Sequence, residues 1–404
     1  MNNIFEFIEN QTKSNSAEII NLRREFHKIP ELGFEEHETS SLIAKFLEDL
    51  GLKVIRGLGK TGVVADINEE IKDFCIALRF DIDGLPITEE TDLPFASAHE
   101  GRMHACGHDG HIAIGMGIAK LIHEIRDNIP ARIRLIFQPA EEGHGGAKRM
   151  IDDGVLKEPT PDVIIGIHIW PYLNTGEIGI KNGPIMAAGD KFLIKLYGKE
   201  GHGSGPHLAI DPTIMAAEVI NGFQNIVGRN INPLESSVIS IGTINGGNSF
   251  NTIPSYVEIT GTTRFTNTQL REILKMDMER LISGIALAYK GKYEFKYEKC
   301  FDVTNSNVTF VNILRNTISE EVKDIKVVEL ETPSMASEDF SEYENYVPGI
   351  YFFIGTKNQD KGCIYPLHNS RYNLDESILS KTVEVLGKFV INLVNKRIKE
   401  EYSL

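Results

Sequence analysis

The sequence predicts an α/β fold: a mostly parallel sheet domain interrupted by an inserted, ferredoxin-like α+β domain. Three observations lead there. Short apolar runs alternate with helical patterns in the first part of the chain, which places parallel strands between covering helices. After Gly183 the order becomes strand, helix, strand, strand, helix, strand, a ferredoxin-like unit in itself. From about Asp302 the first alternation resumes. The simplest reading is a discontinuous first domain, 1–183 with 302–404, and an insert at 184–301.

The elements follow in order. A helix is expected from near Ser16, which can cap it, to His27, with Pro30 just beyond its end. A second spans roughly Glu35–Leu50. Leu42, Ile43, Phe46, Leu47 and Leu50 share one face, and Gly51 supplies the stop. LKVI, GVVADI and FCIALRF read as strands. A helix from about Asp109 to Ile125 comes next. RIRLIFQ then reads as a buried strand, GGAKRMIDD as a short helix and VIIGIHIW as another buried strand. In the insert, GDKFLIKLYG is a strand and DPTIMAAEVINGFQNIV a helix. SSVISIGTI and SYVEITGTTRF are strands, and an amphipathic helix from about Asn267 to Tyr289 precedes YEFKYE.

Composition narrows the classes of function. The 404 residues are 41% hydrophobic and 25% charged, enough for a large core without disulfide staples and unlike a disordered chain. The formal net charge is −15 and no Lys/Arg run stands out, so nucleic acid is not an expected partner. No stretch approaches 18 uncharged apolar residues, so no membrane span is expected. The opening MNNIFEFIENQ carries acids early and no apolar export core. Four Cys are too few for a disulfide framework and suit a reducing cytoplasm.

The 12 His are unevenly spread, with several between His99 and His168. Three strand ends carry acids or His: Asp81-Ile82-Asp83-Gly84 after FCIALRF, Glu141-Glu142-Gly143 after RLIFQPA, and His168 near the end of VIIGIHIW. Ligands gather beyond the carboxyl ends of strands in open α/β sheets, so these clusters should converge. His104-Ala105-Cys106-Gly107-His108-Asp109-Gly110-His111 lies between the first two, just before a helix. Cys106-x-His108 with Glu142 and His168 offers sulfur, nitrogen and oxygen ligands, a set that suits Zn²⁺ or a similar borderline divalent metal. In the Glu141-Glu142 pair, one carboxylate can bind metal while its neighbour takes a proton from water. In the insert, His202 sits in a glycine-rich loop and can donate to an oxyanion. Asn251 and Arg264 are weaker signals, Arg264 as a bidentate grip on a carboxylate. FCIALRF followed by Asp81-Ile82-Asp83-Gly84 also suits a phosphotransferase of the haloacid-dehalogenase type. That reading leaves Cys106, His108 and His168 without a role, and thiolates do not suit Mg²⁺.

Over nearly its whole length the chain resembles the M20 metallopeptidase family, in its amidohydrolase branch of N-acyl-amino-acid, hippurate and auxin-conjugate hydrolases. The motifs that carry the resemblance are LRREFHKIPELGFEEHETS, RFDIDGLPI, MHACGHDGHIA, QPAEEGHGGA, GIHIW, GKEGHGSGPH, FNTIPSYVEITGTTR, MASEDFSEY and LHNSRYNLDE. Broader relatives carry His where Asp81 stands, and this branch has Asp there. Phe80, Gly84, Gly205 and Ser370 are smaller departures, which bear on the acyl pocket.

The resemblance implies a dinuclear-metal hydrolase domain with an inserted lid domain of the dimerisation type. It implies two divalent metals per chain, Zn²⁺ or Mn²⁺ first, with Co²⁺ and Ni²⁺ as alternatives, on Cys106, His108, Glu142, His168 and His368. Cys106 would bridge them. Glu141 would be the general base that activates a metal-bound water, Asp83 would orient a ligand, and His202 would hold the oxyanion. Asn251 would position the substrate and Arg264 its carboxylate. The implied reaction is hydrolysis of the amide bond of a small N-acyl-amino acid, releasing a carboxylic acid and a free amino acid. A homo-oligomer through the lid is left open.

Overall fold

Eight strands hydrogen-bond into one sheet in the computed structural model, which describes residues 2–398; Met1 and the last residues of the expected 302–404 segment lie outside the described residues. In spatial order they are Val54–Leu58, Gly62–Ile67, Arg132–Gln138, Cys75–Asp81, Val163–Asn174, Gly349–Lys357, Glu177–Ile180 and Lys326–Glu329. The central pairings are parallel: Cys75–Asp81 lies between Arg132–Gln138 and Val163–Asn174, and Gly349–Lys357 follows. The first two strands and the Glu177–Ile180 strand add antiparallel neighbours. The central strands are covered on both faces: Cys75–Asp81 and Arg132–Gln138 are buried at every residue, their buried Arg79, Arg132 and Arg134 each paired with an acid. One core joins these strands to the helices through Ile19, Phe26, Leu47, Ile112, Met116, Leu386 and Val390.

The chain divides into two compact units. The larger runs through Ile185, takes in Asn305–Thr332 and resumes at Asp339. The smaller is Met186–Thr304 with Pro333–Glu338. Its sheet has the order Ser237–Gly246, Tyr256–Phe265, Ala188–Tyr197, Lys292–Phe301, all antiparallel. Phe192, Ile194 and Leu196 alternate along one strand and share a separate core with Met215, Val219 and Phe223 of the Pro212–Asn225 helix. Leu274, Met278 and Ile282 of Leu270–Ala288, one turn apart, join them.

Several expectations shift. A helix at Asn2–Ser14 precedes the first one expected. Ser16 is the first residue of the Ser16–His27 helix rather than its cap: Asn15 holds the cap position without a side-chain bond. The next helix begins at His37, because the buried Glu31 carboxylate accepts the N–H groups of Glu38 (3.1 Å) and Thr39 (2.8 Å). The Pro212–Asn225 helix gives way to a wider π turn at Ile226–Asn230. Pro333–Glu338 joins the smaller unit because Ala187 N–H is shared by the Ser334 and Ala336 carbonyls, each at 2.9 Å.

Candidate metal centre

Parallel register brings the carboxyl ends of three strands of the larger unit together. Asp81 pairs with Gln138, and Arg79 with Gly166. Asp83 and the Glu141-Glu142 turn lie just past two of these ends, whereas His168 lies within Val163–Asn174, two residues beyond Gly166 and so level with Asp81. The His108–Glu124 helix begins beside them, at a Gly107 with φ +84°. A Cβ there would lie 2.9 Å from the Tyr372 hydroxyl, so both the backbone and the space require glycine.

Ligand atoms of Cys106, His108 and His168 lie within 4.8 Å of one another. So do those of Cys106, Glu142 and His368, and those of His108, Glu141 and Glu142. Cys106 is thus common to two overlapping groups. His368 enters from a left-handed backbone (φ +62°), its N–H held by the Ala105 carbonyl at 2.9 Å.

Hydrogen bonds decide which atoms of the rings are free. His108 Nδ1 donates to the Asp83 carbonyl at 2.9 Å, with Asp83 Oδ1 at 3.2 Å, and its buried Nε2 has no hydrogen-bond partner. His168 Nδ1 donates to the Ile169 carbonyl at 2.6 Å, leaving Nε2 3.5 Å from Cys106 Sγ. Glu142 Oε1 is buried without a hydrogen bond, although His368 Nε2 lies 3.3 Å away. Asp83 is fully engaged: its Oδ2 accepts the Glu142 N–H at 3.0 Å.

His111, left unassigned by the sequence, is also engaged at both nitrogens. Its Nε2 accepts the Ile169 N–H at 2.9 Å and its Nδ1 donates to Asp81. Asp81 takes Arg79 at 2.7 Å on its other oxygen. Arg79, fully buried, also donates to Gln138 (2.8 Å) and Asp339 (2.7 Å).

The electrostatics call for a cation. Burial, then the charges of Glu142, Glu141 and Asp81, push the Cys106 thiol far above its ordinary pKa. A thiolate there needs positive charge beside it. Burial lowers His108, but Asp81 and Asp83 overturn this and raise it to about 10. Burial and the neighbouring His111 hold His168 well below its ordinary value, and so neutral. His108 Nε2 and Glu142 Oε1 without hydrogen bonds, a buried thiol and a neutral imidazole together match the ligands of a borderline divalent cation.

The smaller unit places His202 and Asn251 side by side. Gly201–His202 pairs with Thr252–Ile253, and the Gly203 N–H donates to the Asn251 carbonyl at 2.8 Å. His202 Nδ1 accepts from the Ser204 N–H (3.1 Å) and hydroxyl (2.8 Å), so a neutral ring carries its proton on the exposed Nε2. Arg264 stands apart from that pair and donates through Nη1 to Ser337.

Fold and site together define a two-unit metal-dependent hydrolase. Residues 77–392 match peptidase family M20/M25/M40, and the chain belongs to that family. It is 40% identical over 397 residues to thermostable carboxypeptidase 2 of Saccharolobus solfataricus, covering 97% of this chain and all of the relative. It is 39% identical over 386 residues to N-acetyl-L-cysteine deacetylase of Bacillus subtilis, covering 96% of this chain and 90% of that protein. Among solved structures, a Bacillus subtilis dinuclear metal-binding peptidase of the M20 family superposes with a TM-score of 0.83 at 34% identity, covering 95% of this chain and 99% of the other.

Proposed function

We propose that this chain hydrolyses the amide bond of N-acyl amino acids, releasing a carboxylic acid and a free amino acid. Its site would take two divalent cations, Zn²⁺ or Mn²⁺ before Co²⁺ or Ni²⁺, on Cys106, His108, Glu142, His168 and His368. The observation that carries this reading is the clustering of those five side chains, from buried Cys106, His108 and His168 to partly buried Glu142 and exposed His368, around His108 Nε2 and Glu142 Oε1, neither of which has a hydrogen bond, with Glu141 beside them. When bound, such cations polarise a carbonyl and acidify water.

The side chains then divide the work. Asp83 fixes the His108 ring through Nδ1. The Glu141 carboxylate takes a proton from the attacking water and returns it to the leaving amine. His202 donates its Nε2–H to the developing oxyanion, Asn251 positions the substrate, and Arg264 meets its carboxylate. The cytoplasm is the compartment this reading assigns. It is supported by four free Cys and by the need for a reduced Cys106. Among the described residues no helix is long and apolar enough to cross a membrane.

The test is a panel of N-acetyl, N-benzoyl and indole-acetyl amino acids with metal-reconstituted enzyme, scored for free amine. Release from at least one class is expected, lost on chelation and in Glu141→Gln with metal retained. No amine from any member, with any of the four metals loaded, would overturn the proposal. The carboxypeptidase name of the Saccharolobus relative favours a peptide in place of the acyl group, so an N-blocked dipeptide belongs in the panel.

A further inference from the structure

The segment Pro30-Glu31-Leu32-Gly33-Phe34-Glu35-Glu36 supplies nothing to the proposed chemistry, yet it packs against the turn that carries Glu141. Glu36 is completely buried. Its Oε1 accepts the Ala140 N–H at 2.8 Å, and its Oε2 accepts the Thr61 hydroxyl at 2.5 Å. Ala140 has φ +57°, a left-handed conformation that costs a non-glycine residue free energy and persists only where its surroundings hold it. Gly33 allows the close approach: a Cβ there would lie 3.1 Å from Ala140 Cα.

Beyond Glu141 the same device recurs. Asp83 Oδ2 accepts the Glu142 N–H at 3.0 Å. The Ala140 carbonyl is held by the Gly146 N–H at 3.1 Å. Two buried carboxylates therefore grip the amides on either side of Glu141, one from residue 83 and one from residue 36.

We infer that Glu36 is a positioning residue for Glu141. By accepting the Ala140 N–H it holds the left-handed turn, and the turn sets the direction of the Glu141 side chain. The inference rests on the reading of Glu141 as general base. Without an acceptor at position 36 the Ala140 N–H is left buried and unpaired, and the turn gains by relaxing to negative φ. That relaxation re-aims Glu141, while Asp83 keeps its hold on Glu142 and His108.

Glu36→Met keeps the side-chain length and removes the acceptor; Glu36→Gln keeps an acceptor oxygen. Both are compared with wild type and Glu141→Gln, each loaded with Zn²⁺ and checked for metal content. The measurements are kcat and KM on the best N-acyl amino acid of the panel, and amide hydrogen exchange of residues 139–143. Glu36→Met should lose at least tenfold in kcat with KM and metal content little changed, and its Ala140 amide should exchange at least tenfold faster. Glu36→Gln should stay within about threefold of wild type in both. A folded Glu36→Met enzyme with wild-type kcat overturns the inference, as does a Glu36→Gln enzyme that falls as far as Glu36→Met. If Glu36→Met does not fold, Glu36→Gln decides. Retained kcat with a protected Ala140 amide supports the role, and a tenfold loss in folded, metal-loaded protein ends it. Turnover in Glu141→Gln removes the base assignment itself. A dead Glu141→Gln beside a fully active Glu36→Met removes only the positioning role.

Discussion

At the scale of single residues, backbone contacts sort the clustered imidazoles into different jobs. His168 spends Nδ1 on the Ile169 carbonyl and turns Nε2 to Cys106 Sγ, a fellow ligand candidate, whereas His111 spends both nitrogens, on Asp81 and on the Ile169 N–H. One is available to a cation and the other is an internal strut. Cys106 is the residue common to the His108–His168 and the Glu142–His368 ligand groups. Cys106→Ala should therefore reduce bound metal by at least one equivalent per chain, read by elemental analysis after reconstitution. Unchanged stoichiometry would count against a shared thiolate. Glu36 gives a pH dependence. Burial, with the Asp83 charge adding to it, raises its carboxyl to about 7 from the ordinary 4.5. The folded protein then holds a proton that the unfolded chain releases above pH 4.5. Stability from this group falls as pH rises from 4.5 to 7 and is lost above that. The gap corresponds to about 3 kcal/mol. Urea unfolding at pH 5 and pH 8 should show wild type losing roughly that much relative to Glu36→Gln, and a pH-independent difference between the two would refute it. The polar residues at the strand ends were legible because they interrupt or follow apolar runs. His368 was visible only through resemblance, since nothing near it in sequence marks it. Arg79 hid inside FCIALRF, and its burial makes sense only beside Asp81, Gln138 and Asp339. Asp81–His111 and Glu36–Ala140 are pairings across 30 and 104 positions, which local pattern does not encode.

At the scale of elements, strands were easier to read than helix ends. GVVADI and RIRLIFQ coincide with Gly62–Ile67 and Arg132–Gln138, because β-branched and apolar residues dominate each short run, and the charged residues inside them, Asp66 with Arg132 and Arg134, pair with one another across the strands. Helix starts depend on which group accepts the first free N–H donors, and that group need not be adjacent. The His37–Asp49 helix shows this. Glu36 at its cap position makes no side-chain cap bond, and the Glu31 carboxylate accepts from Glu38 and Thr39 instead. Glu31→Ala removes that cap and should cost about 1 kcal/mol, the ordinary worth of an N-cap side chain. A lowered urea midpoint at unchanged slope would register it. An unchanged midpoint would mean that water or another group serves those donors equally well. The Asn2–Ser14 helix was not read from the sequence; it is held by packing, with Ile8 fully buried in the larger core.

At the scale of the whole molecule, the two units have separate cores, and every proposed metal ligand belongs to the larger one. Bound cations should therefore stabilise the larger unit by mass action and leave the smaller unit's own core untouched. A ligand present at a thousand times its dissociation constant adds about 4 kcal/mol. The chain carries a built-in probe for this. Its one Trp, Trp170, lies two residues after His168, with the rings edge to face at 5.7 Å, and stacks on Phe353 at 4.1 Å. Tryptophan emission therefore reports the larger unit alone, whereas far-ultraviolet circular dichroism reports helices and strands of both. Chelation should shift the Trp170 unfolding transition to lower urea by the amount the metals contribute. The dichroism transition should broaden or split, as the smaller unit keeps its own midpoint. Coincident shifts in both signals would mean that the two cores unfold as one cooperative body. A Trp170 transition indifferent to chelation would mean that the cluster holds no cation of consequence to the fold. The same ring tests occupancy directly, because paramagnetic Mn²⁺, Co²⁺ or Ni²⁺ at His168 should quench its emission more strongly than Zn²⁺ at the same site.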